Sequence, residues 1–580
     1  MEPQATSRQT QKEWKIAPPA PQETIRSMEQ QGVHPVLAHV LYRRGYTTAG
    51  EALGFLARHY QEDDNPFRLK GMAEAIYRLR MAIRRGEPIA VYGDFDADGV
   101  SSTVLLTGVL ERLGANVRPY IPDRVDEGYG LNSPALRRLA DEGVRLLITV
   151  DCGIRSVQEV ADGVSYGLDI IISDHHSVGP ELPPALAVIN PRQADCPYPE
   201  KGLAGVGVTY KIVQALFMEA QRRGYRKGDA WRPEDWLDMV AIGTVADIVP
   251  LRGENRVLVR EGLKRLNRPE RPGLRALYGV AGIRPGNVNT VAIGFMIGPR
   301  INAAGRLRSA MLAYRLLTTT DAGEAARLAA ELDAINQERQ QKTTEMQGWA
   351  EEQIPGDPAE EPLLFAADPR FEQGVVGLVA SRLTERYYRP SVVVQMGEEE
   401  SHGSCRSIPE FHITRALEQC ADLLERYGGH AAAAGFTVRN ENLLPLQERL
   451  REIAAEALTL EELRPALEID ARLSFEEITF ELLEALQRLE PTGEGNPPPL
   501  FVTPGVVVQE RRTVGSEGAH LKLVLSQGPI QMEAIAFRRG DLHDTLPDHV
   551  DVAYYLEINE WNGQQRLQLN IQDIRPPEAE

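Results

Sequence analysis

An apolar run, Ile89-Ala90-Val91-Tyr92, gives way after Gly93 to three aspartates at alternate positions, Asp94, Asp96 and Asp98, followed by Gly99. The run reads as a short strand of a parallel sheet, buried on both faces. In extended chain, side chains at alternate positions share a face. Three carboxylates so placed repel one another unless cations stand between them, and oxygen-rich clusters suit hard divalent metals. One aspartate would make an ordinary acidic turn; three point to a metal site. Ser101 or Ser102 is expected to cap a helix that starts at Thr103 and stops at Gly114.

The same rhythm repeats downstream. Apolar runs at 117–121, 145–150, 168–173 and 186–189 alternate with helical segments at 133–142, 156–166 and 208–220. Alternation of this kind predicts an α/β domain with a mostly parallel sheet. Three runs close on Asp94, on Asp151 and on Asp174-His175-His176, and a helix over 236–242 leads to Asp247. The carboxyl ends of strands form the ligand crevice of such sheets. Asp94, Asp96, Asp98, Asp151, His175, His176 and Asp247 are enough to hold two ions that share one bridging carboxylate. Two cations roughly 3.5–4 Å apart activate a water and stabilise the leaving oxygen in phosphoester hydrolysis. Mixed carboxylate and imidazole ligation suits Mn²⁺, with Mg²⁺ as the alternative. His175 and His176 are expected to point to opposite sides, one binding metal and the other facing the scissile phosphate as general acid or charge stabiliser.

Around this unit, residues 1–30 read as polar and loose, 34–56 as two short helices and 72–85 as an amphipathic helix. Residues 250–320 read as mainly helical, with 298–306 as a glycine-rich turn carrying Arg300 and Arg306. A long amphipathic helix over 324–353 is expected to connect two domains, ahead of a proline-rich linker at 354–362. A second α/β unit follows, with strands at 363–366 and 391–395 and helices at 377–386, 411–427 and 446–458. Residues 403–407 and 428–430 read as small-residue loops. From 466 onward five alternating segments (506–508, 520–525, 531–537, 552–558, 566–571), with a tight hairpin at Asn562-Gly563, suit an OB-type β-barrel. The expected division is 1–70 extension with short helices, 71–250 metal-bearing domain, 251–353 helical region and connector, 363–465 second α/β domain and 466–580 barrel.

A net charge of −19 excludes a surface that attracts polyanions everywhere, but not a local basic groove. Cys152, Cys196, Cys405 and Cys420 are scattered, which argues against a zinc or disulfide framework and for the cytoplasm. No run approaches the ~20 apolar residues of a membrane span, and residues 1–15 lack the apolar core of a signal peptide.

Gly93-Asp94-Phe95-Asp96-Ala97-Asp98-Gly99, Val150-Asp151-Cys152-Gly153, Asp174-His175-His176 and Ala246-Asp247 resemble, in order, the four motifs of the DHH phosphoesterase superfamily. Within it, residues 298–306, 374–382, Gly429-His430 with 433–435, and 491–497 resemble the RecJ family, a likeness that spans residues 70–575. The resemblance implies a DHH domain, a DHH-associated domain and an OB-fold. It implies a 5′→3′ exonuclease that degrades single-stranded DNA to nucleoside 5′-monophosphates, in recombination and repair, with two Mn²⁺ or Mg²⁺ ions per site. Partners would be a single strand with a 5′ end, a single-strand-binding protein and a helicase, with the protein itself a monomer.

By the same resemblance Asp94 and Asp96 hold one ion, Asp98, His175 and Asp247 the other, and Asp151 bridges them. His176 faces the substrate, with Asp151 and Asp174 completing the catalytic set. Arg306, Ser404 and Arg406 match positions that contact the nucleotide and its 5′ phosphate; Arg300, Asn302, Gly429 and His430 join them. Arg124 contacts DNA or makes a surface salt bridge. The barrel takes the trailing strand, with Trp561 as a stacking platform or a cover for the barrel edge. Phe371-Glu372, Ala431 and Thr492 depart from the family's usual Trp-His, Lys and Phe, and none is a metal ligand. An oligonucleotide or cyclic-dinucleotide phosphodiesterase lacks the barrel, and a non-catalytic replication scaffold loses acids that this chain keeps.

Overall fold

A computed structural model describes residues 12–57, 64–124, 127–128, 130–223, 232–561 and 564–577. The chain divides into two compact units, Glu62–Leu463 with Met1–Gln9, and Thr10–Gln61 with Arg464–Glu580.

The first unit opens with a five-stranded sheet in the order Val117–Tyr120, Ile89–Gly93, Leu146–Val150, Asp169–Ser173, Ala187–Ile189, all parallel. Alternation along the strand Ile89–Gly93 sends Ile89 and Val91 into one core and Ala90 and Tyr92 into another, so both faces are covered by helices. Helices Met72–Arg85, Ala97–Arg112, Gly205–Arg222 and Leu237–Ala246 fill the first core; Ser133–Asp141 and Val157–Ser165 fill the second.

The helix Ala322–Glu352 is 31 residues long, which is about 47 Å at about 1.5 Å per residue. Its early residues Leu328 and Leu332 belong to the core of the first domain. Its late residues Met346 and Ala350 belong to a core shared with Leu364 and Val379 of the second domain. One helix is thus anchored in both domains. The second domain carries a five-stranded sheet in the order Leu424–Gly429, Ala433–Arg439, Glu400–Arg406, Ser391–Met396, Leu364–Asp368, with only the last pair parallel.

In the second unit five strands, Phe501–Val514, His520–Gln527, Ile530–Ala536, His549–Trp561 and Gln564–Arg575, close a barrel. Closure comes from antiparallel pairing of Phe501–Val514 with His549–Trp561. Helices Gln22–Glu29, Pro35–Arg43 and Ala49–Leu56 contribute Met28, Leu37, Leu41 and Leu56 to the same core as Phe501 and Tyr554. Glu13–Ile16 pairs in parallel with Ala466–Ile469. Residues 12–57, including the stretch 12–30 expected to be loose, therefore pack with the barrel, because their helices carry apolar faces too large to leave in water, whereas 64–70 belong to the first unit. The Asn562-Gly563 hairpin lies outside the described residues, as does the side chain of Trp561. Among the described residues no helix is long and apolar enough to cross a membrane.

Several local expectations are corrected. The helix after the first strand starts at Ala97, and its N-cap is Asp96, whose carboxylate accepts from the N–H of Asp98 at 2.9 Å and of Gly99 at 3.0 Å. Ser101 and Ser102 are buried within that helix. An aspartate cap satisfies orphan N–H groups better than the expected extended chain could. Residues 298–306 are helical (Gly298–Leu307) and not a turn. Gly305 is there for space: a Cβ would stand 2.4 Å from the carbonyl of Phe95. Residues 403–406 are part of a strand, where a Cβ on Gly403 would stand 2.1 Å from the Phe436 ring. Glycine in a strand marks such close approaches. Residues 428–429 also end a strand, Leu424–Gly429, and the helix expected over 411–427 is reduced to Ile413–Glu418.

Candidate active site

Every acid of the site leaves a strand end or a helix end. Asp98, in the first turn of its helix, accepts from the N–H groups of Gly205 and Val206, each at 2.8 Å, at the start of the helix Gly205–Arg222. Asp151 follows the strand Leu146–Val150 with φ 65°, a left-handed conformation rare outside glycine. Asp247 is the C-cap of the helix Leu237–Ala246. Asp174 is buried and accepts from the N–H groups of Ile154 at 2.9 Å, His175 at 2.7 Å and His176 at 3.0 Å. It also lies 2.7 Å from His176 Nδ1.

Ligand atoms of Asp94, Asp96 and Asp151 lie within 4.8 Å of one another, and so do those of Asp98, His175 and Asp247. His175 Nε2 stands 3.1 Å from Asp151 Oδ1 and 3.5 Å from Asp247 Oδ2. Asp94 Oδ1, Asp151 Oδ1 and both ring nitrogens of His175 are buried with no hydrogen-bond partner among the described residues. Buried carboxylate oxygens without a donor, beside a buried imidazole, are what divalent cations satisfy, so this set fits two ions. Ligand atoms of Asp151, Asp174, His175 and His176 also lie within 4.8 Å of one another, so Asp151 stands in two of the three groups.

The electrostatics agree. Burial, then Asp96, raises the Asp94 carboxyl well above its usual range and takes Asp98 up to about 7. Burial, then Asp98, raises Asp151 and takes Asp247 up to about 9. Burial, reinforced by His176, lowers His175 to about 3, so it is a neutral imidazole. Burial opposes protonation of His176 too, but the bond to Asp174 outweighs it and raises this ring to about 9. The two rings are 4.4 Å apart by centroid. They do not point to opposite sides as expected, because the strand ends at Ser173 and its alternation ends with it.

A cleft of about 800 Å³ opens between the two domains of the first unit, with Asp94, Asp96 and Asp247 on one wall and Ser404 and Arg406 on the other. Arg124, Asn302 and Arg306 also line it. The Arg124 guanidinium lies 4.8 Å over the Phe95 ring and not on the surface. Burial, then Arg124 and Arg339, lowers Arg306 to about 9 against the opposing pull of Asp96, with Arg406 adding to the lowering, so several guanidinium groups share this part of the cleft. Such a group awaits an anion. Asn302 Oδ1 accepts from the N–H of Ala97 at 2.7 Å and ties the helix Gly298–Leu307 to the acidic turn.

Three expected substrate residues stand elsewhere. Arg300 pairs with Asp333 on the long helix and donates to the Met296 carbonyl. Six residues from Arg306, it lies about 240° round the helix and faces away from the cleft. Gly429 and His430 are exposed at a hairpin end, outside the cleft lining. The His430 N–H donates to the Ala433 carbonyl, as hairpin closure requires. Two of the departing residues are also accounted for: Phe371 is buried in the second domain's core, and Glu372 pairs with Lys342. The sequence reading missed His402, Arg426, Tyr427 and Ile248, all of which line the cleft. Had 400–406 been read as a strand, period-two alternation would have placed His402 with Ser404 and Arg406.

Residues 88–244 match the DHH family, N-terminal domain; 360–458 match the DHHA1 domain; 469–573 match the RecJ OB domain. The fold and the site thus define a DHH phosphoesterase. The single-stranded-DNA-specific exonuclease RecJ of Bacillus subtilis is 40% identical over 97% of this chain and 70% of its own. That of Thermus thermophilus is 36% identical over 98% of this chain and 79% of its own. The crystal structure of RecJ in complex with Mn²⁺ from Thermus thermophilus superposes with a TM-score of 0.83 at 34% identity, covering 98% of this chain and 80% of that one. Its Mg²⁺ complex gives 0.78 at 32%, covering 98% and 79%. The chain belongs to the RecJ family.

Proposed function

We propose that the chain is a single-strand-specific DNA exonuclease that works from a 5′ end, releases nucleoside 5′-monophosphates and requires Mn²⁺ or Mg²⁺, in recombination and repair. The observation that carries this reading is one cleft with clustered acids beside His175 on one wall, Arg406 with Ser404 on the other, and Arg124 and Arg306 lining it as well. Asp94 and Asp96 would hold one ion, Asp98, His175 and Asp247 the second, with Asp151 shared. Such a pair supplies an activated water and charge stabilisation of the leaving oxygen. His176, kept protonated and oriented by Asp174, offers a cation and a proton towards the scissile phosphate. Arg306, Arg406 and Ser404 bind the terminal phosphate, which sets polarity. Arg124 and Asn302 line the path between.

Sequence independence is supported by the RecJ OB domain, since such barrels hold backbone and stack bases at roughly 1–3 kcal/mol per base. A single strand must be supplied, so a helicase and a single-strand-binding protein are the expected partners. Both walls of the cleft come from one chain, which supports a monomer, and four buried free cysteines support the cytoplasm. The domain division is proposed as 71–250, 251–353, 363–465 and 466–580, with 1–70 preceding.

The test is full-length protein on end-labelled single strands and duplexes with Mn²⁺, Mg²⁺ or EDTA. Ion-dependent release of mononucleotides from the 5′ end of single strands is expected. Digestion from the 3′ end, or equal digestion of duplex, would overturn the reading.

A further inference from the structure

The helix Leu237–Ala246 ends in a way that local structure does not favour. Asp247 is its C-cap, and the next residue, Ile248, has φ 59°. The position after a C-cap is where glycine is enriched, because a Cβ is disfavoured in this left-handed region. For a β-branched residue it is a genuine outlier. Burial would be the ordinary compensation, but Ile248 is 69% exposed, whereas the next residue, Val249, is buried. The fold therefore carries an unfavourable residue that gives nothing back through packing. Residues of this kind cluster at functional sites.

Its surroundings say which function. Ile248 directly follows an acid of the metal cluster and lines the cleft. Of the large apolar side chains exposed among the described residues, two line that cleft: Ile248 on the phosphoesterase wall and Tyr427, 42% exposed, on the outer strand of the second domain's sheet. The arginines, Ser404 and Asn302 of the lining are charged or polar and suit the phosphates. The apolar lining residues Phe95, Val376 and Phe436 are buried, which leaves Ile248 and Tyr427 as the exposed match for the apolar faces of bases and sugars.

We propose that Ile248 and Tyr427 contact the nucleosides flanking the scissile phosphodiester. Ile248 acts as an apolar wedge beside the acids, and Tyr427 as the stacking surface on the other wall. The wedge must project into the cleft, which is why the chain tolerates isoleucine where glycine would relax it. Grip of this kind is sequence-tolerant, since every base has an apolar face. The inference rests on the proposed exonuclease reading and adds to it how the nucleoside is held.

The experiment uses full-length wild type, Ile248→Gly, Ile248→Asn and Tyr427→Ala with Mn²⁺. Substrates are a 5′-phosphorylated single strand and the same strand with abasic residues at its first two positions. Thermal unfolding, KM and kcat are measured. Wild type should prefer the normal strand roughly tenfold, the size of one stacking contact. Both Ile248 variants fit the left-handed conformation, so they should unfold at the same or a higher temperature. They should lose most of the preference by slowing on the normal strand alone, and Tyr427→Ala should do the same through KM. Earlier unfolding with the preference intact would overturn the proposal and make Ile248 structural. So would equal loss on both substrates, or a wild type without preference. A wild type that cleaves neither strand would remove the underlying reading, and this one with it.

Discussion

His176 holds its Nδ1 2.7 Å from Asp174 Oδ1, while its side chain remains 37% exposed and that of Asp174 only 1%. A buried carboxylate thus fixes the orientation of a partly exposed ring. His175, next in sequence, is instead lowered to about 3 and sits between Asp151 and Asp247. Two adjacent histidines therefore have opposite protonation, which divides their tasks. Asp174→Asn should lower kcat roughly 10²- to 10³-fold, in the range of a lost general acid, with little change in the Mn²⁺ concentration needed for half-activation. His175→Ala should shift that concentration upward instead. Steady-state kinetics against Mn²⁺ check both.

Arg406 donates to Ser404 Oγ at 3.3 Å and to its neighbour's carbonyl at 2.8 Å, leaving its outer face to the cleft. Arg406→Ala should raise KM roughly tenfold to a hundredfold on 5′-phosphorylated strands, the worth of a charge-assisted contact. Strands ending in a 5′-hydroxyl should be affected far less. Equal loss on both would remove Arg406 from the terminal-phosphate site.

The metal-free protein should lose stability as pH rises from about 6.5 to about 9. Asp98 is raised to about 7 and Asp247 to about 9, both by burial and neighbouring acids, and His176 is raised to about 9 by Asp174. All three bind protons more tightly folded than unfolded. Their contribution is present at low pH and is lost as pH climbs through the folded values. His175, lowered to about 3, has the opposite sign but acts only below about 6.5. Mn²⁺ needs the deprotonated carboxylates, so adding it should flatten or reverse the slope. Thermal unfolding at several pH values, in EDTA and in Mn²⁺, measures this.

Much of the site was legible because chemistry and periodicity coincided. Asp94, Asp151 and Asp174 each close an apolar run, and parallel strands bring such ends together whatever the details. What sequence did not reveal depends on tertiary contact. Residues 298–306 look like a turn because glycine is a breaker in isolation, yet Gly305 is needed for the approach of the Phe95 carbonyl. A turn also gave no means of separating Arg300 from Arg306, since only the helix shows that they face different ways. Small residues hid the strand Glu400–Arg406 for the same reason: Gly403 makes room for Phe436. The conformation of Ile248 leaves no trace in composition or spacing.

The central claim is that Asp151, shared between two acid groups, lets one site hold two ions and hydrolyse DNA. Its most direct test is Asp151→Asn, chosen because asparagine tolerates the φ of 65° at that position. Calorimetric Mn²⁺ titration and nuclease assay are run on the same sample. The account predicts two ions per wild-type chain. The variant should be folded, unfold no earlier than wild type in EDTA because it relieves crowded negative charge, bind fewer ions, and lose at least about 10³-fold in turnover. Two ions and near-native turnover in the variant would contradict it.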